Sequence, residues 1–167
     1  MVSKAFTECL IDVYRGEVVG EAVFGGMLEI AEDMEQRYIL GSMLQFETEG
    51  KAIIRPLLMR LGLSMLEGSE GRSAGAAGAA RLNAQPWVER FAALEEAVKS
   101  KYLPRYLELA KLVSAEEDLE AARLAAFMGE HERAIVAVAA NIAGRKPDPV
   151  APIAKLLNFP LPRPASP

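Results

Sequence analysis

The stretch Asp33 to Gly62, DMEQRYILGSMLQFETEGKAIIRPLLMRLG, constrains this chain more than any other. Every third and fourth residue is apolar: Ile39, Met43, Phe46, Gly50, Ile53, Leu57 and Leu61 form one seam, with Leu40, Leu44, Glu47, Lys51, Ile54 and Leu58 beside it. This period belongs to a long helix with one buried face, and a carboxylate, Glu47, interrupts that face near its middle. A buried carboxylate costs several kcal/mol, to order of magnitude, unless a cation, a metal or hydrogen-bond donors compensate it. The rest of the sequence is read for that partner.

The same pattern recurs on both sides. From Ser3 to about Ile30, Phe6, Leu10, Val13, Gly20, Phe24 and Met27 repeat with helical spacing, and Glu17 fills the slot between Val13 and Gly20. Glu21 lies one turn on in a neighbouring row, so both acids can face one space, one as a ligand and the other as a solvated flank. Asp33 with Gln36 reads as a capping box opening the second helix, and Gly62 as its end. Pro56 predicts a local kink. Glu17 and Glu47 stand about fifteen residues on either side of the first turn, which at about 1.5 Å per residue puts them at one height.

Gly68 to Gln85 is small and poor in apolar pattern, and reads as a long flexible connection, the most mobile internal part of the chain. Pro86 then opens a third helix with Trp87, Phe91, Leu94, Val98, Tyr102, Leu109 and Val113 inward, Glu95 breaking the stripe and Pro104 predicting a kink. Ser114 with Glu117 forms a second capping box, from which a fourth helix is expected to run to about Gly144. Its seam is Leu124, Met128, His131, Ile135, Val138 and Ile142, so the single histidine of the chain sits mid-helix, flanked by Glu130 and Glu132. Each flanking acid is turned about 100° from His131. After Pro147 a proline-rich tail is expected, with about one helical turn between Ala151 and Leu157, packing loosely over the rest.

Composition removes several classes of function. The net charge is −4 and no basic patch occurs, which argues against a nucleic-acid surface. No apolar run approaches the roughly 20 residues of a membrane span, and no basic-then-apolar leader opens the chain, so the protein reads as soluble and cytoplasmic. One cysteine, Cys9, on an apolar stripe excludes an internal disulfide.

Four long helices in two hairpins, an acid on each of the first three inner faces and a histidine on the fourth resemble the ferritin-like superfamily of ferritins, rubrerythrins and carboxylate-bridged di-iron oxygenases. The resemblance covers about Ser3 to Gly144, and FETEGKAIIRPLLMRLG (Phe46 to Gly62) is its most specific part, similar to a second helix in which a Glu-x-x-His pair precedes an apolar stretch and a closing Leu-Gly. It implies an all-α antiparallel four-helix bundle over residues 1–146, with a long crossover between hairpins and a tail over 147–167. It also implies Glu17, Glu47, Glu95 and His131 as ligands on successive helices, and iron or manganese as cofactor. Gly50 stands where the family places a second-helix His, and Met128 where it places a Glu before the fourth-helix His.

The candidate metal ligands are therefore Glu17, Glu21, Glu47, Glu95, Glu130 and His131. Lys51, one turn from Glu47, is the candidate charge in place of a metal, Glu95 can pair with Lys99, and His131 can serve as a hydrogen-bonded core histidine. Tyr14, Tyr102 and Tyr106 read as core residues with polar tips. Two classes of function stay open. One is a non-catalytic bundle with a degenerate di-iron site, whose alanine- and glycine-rich surfaces serve a homodimer interface or take an apolar ligand. The other is an iron- or manganese-binding oxidoreductase or metal-handling protein. The two absent ligands weigh toward the first, and the three acids on inner stripes toward the second.

Overall fold

The computed structural model describes residues 2–164, all of them in helices and connections with no strand among them. Helix α1 (Lys4–Leu28) starts where the Ser3 side chain accepts a hydrogen bond from the Phe6 backbone amide at 3.1 Å. Helix α2 (Met34–Arg60) opens on the expected Asp33 cap, which accepts from the Gln36 amide at 2.8 Å, while the Gln36 side chain accepts from the Glu32 amide. It runs through Pro56 without a break. The carbonyl that loses its donor there belongs to exposed Ala52, which water can reach. Gly62, at φ +69°, turns the chain out of α2, and the Leu63 amide closes the end by donating to the Leu58 carbonyl at 2.9 Å.

The expected flexible connection is a helix. Ser69–Asn83 forms α3, packed along α1. Alanine gives it helix propensity, and its seam is made by small residues that let two backbones approach. A Cβ built on Gly75 would lie 2.5 Å from both the Ala22 Cβ and the Val19 carbonyl oxygen, and one built on Gly26 would lie 2.8 Å from the Ala79 Cβ. Asn83 ties down the far end by donating to the Gly26 carbonyl at 3.0 Å. An apolar stripe of large residues is the signal sequence reading looks for, and close backbone contact between small ones does not produce it.

The third long helical stretch is composite: α4 (Trp87–Ala97), a π segment (Val98–Tyr102) and α5 (Leu103–Leu109). The expected disturbance at Pro104 takes the form of this π segment on its N-terminal side. The inner stripe continues past it from Val98 through Tyr102 to Tyr106 and Leu109. Tyr106 is buried, whereas Arg105 points out to bind Asp12 at 2.7 Å. Ser114 and Glu117 do form a reciprocal box, but it closes a turn. Helix α6 (Leu119–Ala143) starts five residues beyond that box's first member, after a cap made by Asp118, which accepts from the Ala121 amide at 3.0 Å and binds Arg60 at 2.8 Å.

In the tail, α7 (Ala151–Ala154) buries Val150 and Ile153. The tail is held more firmly than expected, because Glu49 of α2 accepts from the backbone amides of Asn158 at 2.7 Å and Phe159 at 2.9 Å. Residues 165–167 of the expected tail lie outside the described residues. No helix among the described residues is long and apolar enough to cross a membrane.

The core divides in two. One cluster contains Phe24, Met27, Leu40, Met43, Phe46, Phe91, Ile135 and Val138, and the other Phe6, Leu10, Val13, Ile54, Leu57, Tyr106, Leu109 and Met128. Between them α1, α2 and α6 contribute polar groups or glycine: Glu17 and Gly20, Glu47 and Gly50, His131 and Glu132. Along the chain, α1 and α6 pass from the second cluster to the first, whereas α2 and the composite α4–α5 helix pass from the first to the second.

Two glycine substitutions separate contact from propensity. Gly75→Ala, facing the backbone of α1, should destabilise the protein by about 1–3 kcal/mol through overpacking. Gly25→Ala, whose Cβ would meet nothing within 4 Å, should stabilise it by about 0.5–1 kcal/mol. Urea unfolding of both variants checks the pair, and amide-exchange protection across Ser69–Asn83 checks the helix itself.

Candidate metal centre

The polar layer begins with Glu17, fully buried on α1. Its Oε1 accepts a hydrogen bond from the Tyr106 hydroxyl at 2.6 Å, and its Oε2 has no hydrogen-bond partner. Opposite that oxygen, 3.5 Å away, is Nε2 of His131 on α6. The imidazole stacks on the Phe46 ring with centroids 3.8 Å apart, and Nε2 lies 3.2 Å from the Phe46 carbonyl oxygen. Nδ1 of the same ring has no partner. Either neutral tautomer thus leaves a ring nitrogen unmet, since the ring has two polar nitrogens and one hydrogen-bonding neighbour.

Glycines make the room. A Cβ on Gly50 of α2 would collide with the Glu17 Oε2 and come within 3.0 Å of His131 Nε2. A Cβ on Gly20 of α1 would lie 2.5 Å from the Glu47 carboxyl carbon. Each helix of the pair carries an acid and, one turn on, a glycine that admits the other helix's acid. Gly50, where the family resemblance expects a histidine, is space used by Glu17 and by the histidine of α6.

Glu132 completes the group. It is buried beside His131, and ligand atoms of Glu17, His131 and Glu132 all lie within 4.8 Å of one another. A position about 100° from the histidine reads as outside the buried face on sequence grounds. The face of α6 is wider than one seam, however: Leu124 and Ala125, Met128 and Gly129, Ala134 and Ile135, Val138 and Ala139 are buried as adjacent pairs. That run of small partners was the available signal for a two-row face.

The other sequence candidates go elsewhere. Lys51 does not bind Glu47; its ammonium donates to Glu21 at 2.6 Å and Glu67 at 2.7 Å, and Glu67 also takes Arg55 at 2.8 Å. Glu21, which accepts as well from the Thr48 hydroxyl at 2.6 Å, belongs to this ion-pair network and not to the polar layer. Glu95 pairs with Lys99 one turn away, and Glu130 is exposed. Among the described residues no lysine or arginine forms an ion pair with Glu17, Glu47 or Glu132.

Without a cation, burial dominates the protonation of these groups. It raises the carboxyls of Glu17 and Glu47 well above their usual range; the Tyr106 hydroxyl partly offsets this for Glu17, and the charge of Glu17 adds to it for Glu47. Burial pushes Glu132 up to about 8 and His131 down to about 4. The Tyr106 hydroxyl is raised too, first by burial and then by Glu17. At neutral pH the metal-free layer therefore holds a neutral imidazole and a proton on Glu132, and burial favours the protonated form of Glu17 and Glu47.

A metal ion suits this donor set. Two ligand atoms about 2.0–2.1 Å from a tetrahedral ion are about 3.4 Å apart, close to the 3.5 Å between Glu17 Oε2 and His131 Nε2. Carboxylates with one imidazole are donors for divalent first-row ions. No protein-family model, no curated protein and no solved structure matches this chain. What the protein does is therefore read from the site itself.

The protonation pattern sets an expected pH dependence. Glu132 binds its proton more tightly folded, at about 8, than its ordinary value of 4.5, so its contribution is complete below 4.5 and is lost as pH rises through about 8. His131, lowered from 6.5 to about 4, contributes fully above 6.5 and loses its contribution as pH falls through about 4. Metal-free protein should become less stable in urea as pH rises from about 6.5 to 8, and Glu132→Gln should flatten that slope. An unchanged slope in the variant would contradict the assignment.

Proposed function

We propose that this protein is a ferritin-like helical bundle that holds one divalent first-row metal ion, iron(II) or manganese(II), between Glu17, His131 and Glu132, with Glu47 alongside. The observation that carries the reading is the buried carboxylate oxygen Glu17 Oε2, which faces an imidazole nitrogen and, among the described residues, has no hydrogen-bond partner and no ammonium or guanidinium paired with its carboxylate. The ferritin-like arrangement is supported by the order in which the four long helical stretches visit the two core clusters. First and fourth share one direction, second and third the other, and α3 is then the crossover that returns the chain between hairpins.

The chain's own residues do the positioning. Tyr106 holds one oxygen of Glu17 and leaves the other free to bind, and the stacked Phe46 ring fixes the plane of His131. Gly20 and Gly50 keep the space open. The raised carboxyls make binding a proton exchange: the acids give up protons as the ion arrives, so affinity increases with pH. Such an ion supplies Lewis-acid or one-electron chemistry when bound.

A non-catalytic bundle is the second reading, favoured by Gly50 and Met128 at positions where the family has ligands. Anaerobic titration with iron(II) or manganese(II), read by calorimetry and by bound metal after desalting, decides between them. The expected result is about one ion per chain, weakened about 10- to 100-fold or more by Glu17→Gln and by His131→Ala, with proton release that grows smaller at higher pH. No metal retained by folded wild-type protein, and no effect of chelator on its unfolding, would favour the non-catalytic reading.

A further inference from the structure

Two cavities that share lining residues lie beside the polar layer. The outer one, about 420 Å³, opens between α3 and the composite α4–α5 helix. The inner one, about 50 Å³, reaches Glu47 and Glu132. Val19, Val23, Leu94, Val98 and Tyr102 border both, so the two cavities adjoin across these five side chains. The outer cavity falls in the range of small-molecule sites, and the inner one has room for about three or four water molecules.

The charges along this path are ordered. The outer cavity is lined by Arg81 of α3 and Lys101 of the π segment and by no acid. Neither cation forms a salt bridge among the described residues, and Lys101 rests over the Tyr102 ring at 5.2 Å. The middle is aliphatic and aromatic. The inner end carries two carboxyl groups. A molecule with an anionic head meets its counter-charges only at the outer end and like charges or carboxylic acids at the inner one, which sets its orientation.

We propose that the two cavities form one channel that binds an anionic amphiphile, an aliphatic carboxylate of medium chain length, with its carboxylate at Arg81 and Lys101 and its chain directed past Val98 and Tyr102 toward Glu47 and Glu132. The site is built for this by two features already described. The small residues of α3 leave room beside the α4 face while keeping the helix close to α1, and Val98 and Tyr102, four residues apart in the π segment, both line the channel. The binding does not require a metal, so it stands or falls apart from the metal reading.

The test is calorimetric titration of the full chain, in chelator, with butanoate, hexanoate, octanoate and octylammonium. Saturable octanoate binding is expected, with affinity increasing about three- to fourfold per added CH2 along the carboxylate series and octylammonium at least about tenfold weaker. Arg81→Glu combined with Lys101→Glu should weaken octanoate about tenfold or more. Ala97→Trp, an exposed position on the outer cavity wall, should weaken it similarly by filling the space. Circular dichroism confirms that each variant is folded. Absence of saturable octanoate binding by the wild type, affinity independent of chain length, octylammonium bound as tightly as octanoate, or unchanged octanoate affinity in the charge-reversed variant would each overturn the proposal.

Discussion

The whole fold has to accommodate three carboxyl groups and an imidazole withdrawn from water, with no ammonium or guanidinium among the described residues paired with the carboxyls. A buried charge of one sign is costly, so the acids hold protons or await an external cation. The hydrophobic core cannot continue through such a layer, and it divides into two clusters above and below. The layer lies where the long helices cross the boundary between clusters. A change there reaches both halves of the core at once.

The space for the layer is made by what is missing. Gly20 and Gly50 are cut-outs in two neighbouring helices, each receiving the other's carboxylate. An ordinary side chain at either position would push α1 and α2 apart or turn an acid out to solvent. The same device, applied to a longer surface, brings α3 onto α1, where Gly75 faces a carbonyl at a distance no side chain permits. Small residues thus serve two ends, room for polar groups in the layer and close backbone contact outside it.

Positive charge is kept out of the layer by geometry. Lys51 is one turn from Glu47, yet its ammonium is held by Glu21 and Glu67, and Glu67 is shared with Arg55 and Arg72. This network ties α1 and α2 to the segment leading into α3. It satisfies a mostly buried lysine, which would otherwise be costly, and leaves the layer next door without a counter-ion.

The sequence by itself determined the helices with large apolar stripes, the Asp33 cap, the end at Gly62, and the placing of Glu17 and Glu47 at one height, because all of these follow from a period of 3.6 and from local hydrogen bonds. It also contained the right question, what neutralises a buried acid. Only the tertiary structure decided the answer. Whether Lys51 bends toward Glu47 or Glu21 depends on where Glu67 arrives from the next connection. Whether Glu132 faces inward depends on how wide a face α6 buries, and whether Gly68 to Gln85 is loop or helix depends on the backbone of α1 that it meets. Which group meets the polar tip of Tyr106 depends on where α5 packs on α1, and it is Glu17. Each of these is a contact between segments distant in the chain, and the energy that selects it exists only once both are in place.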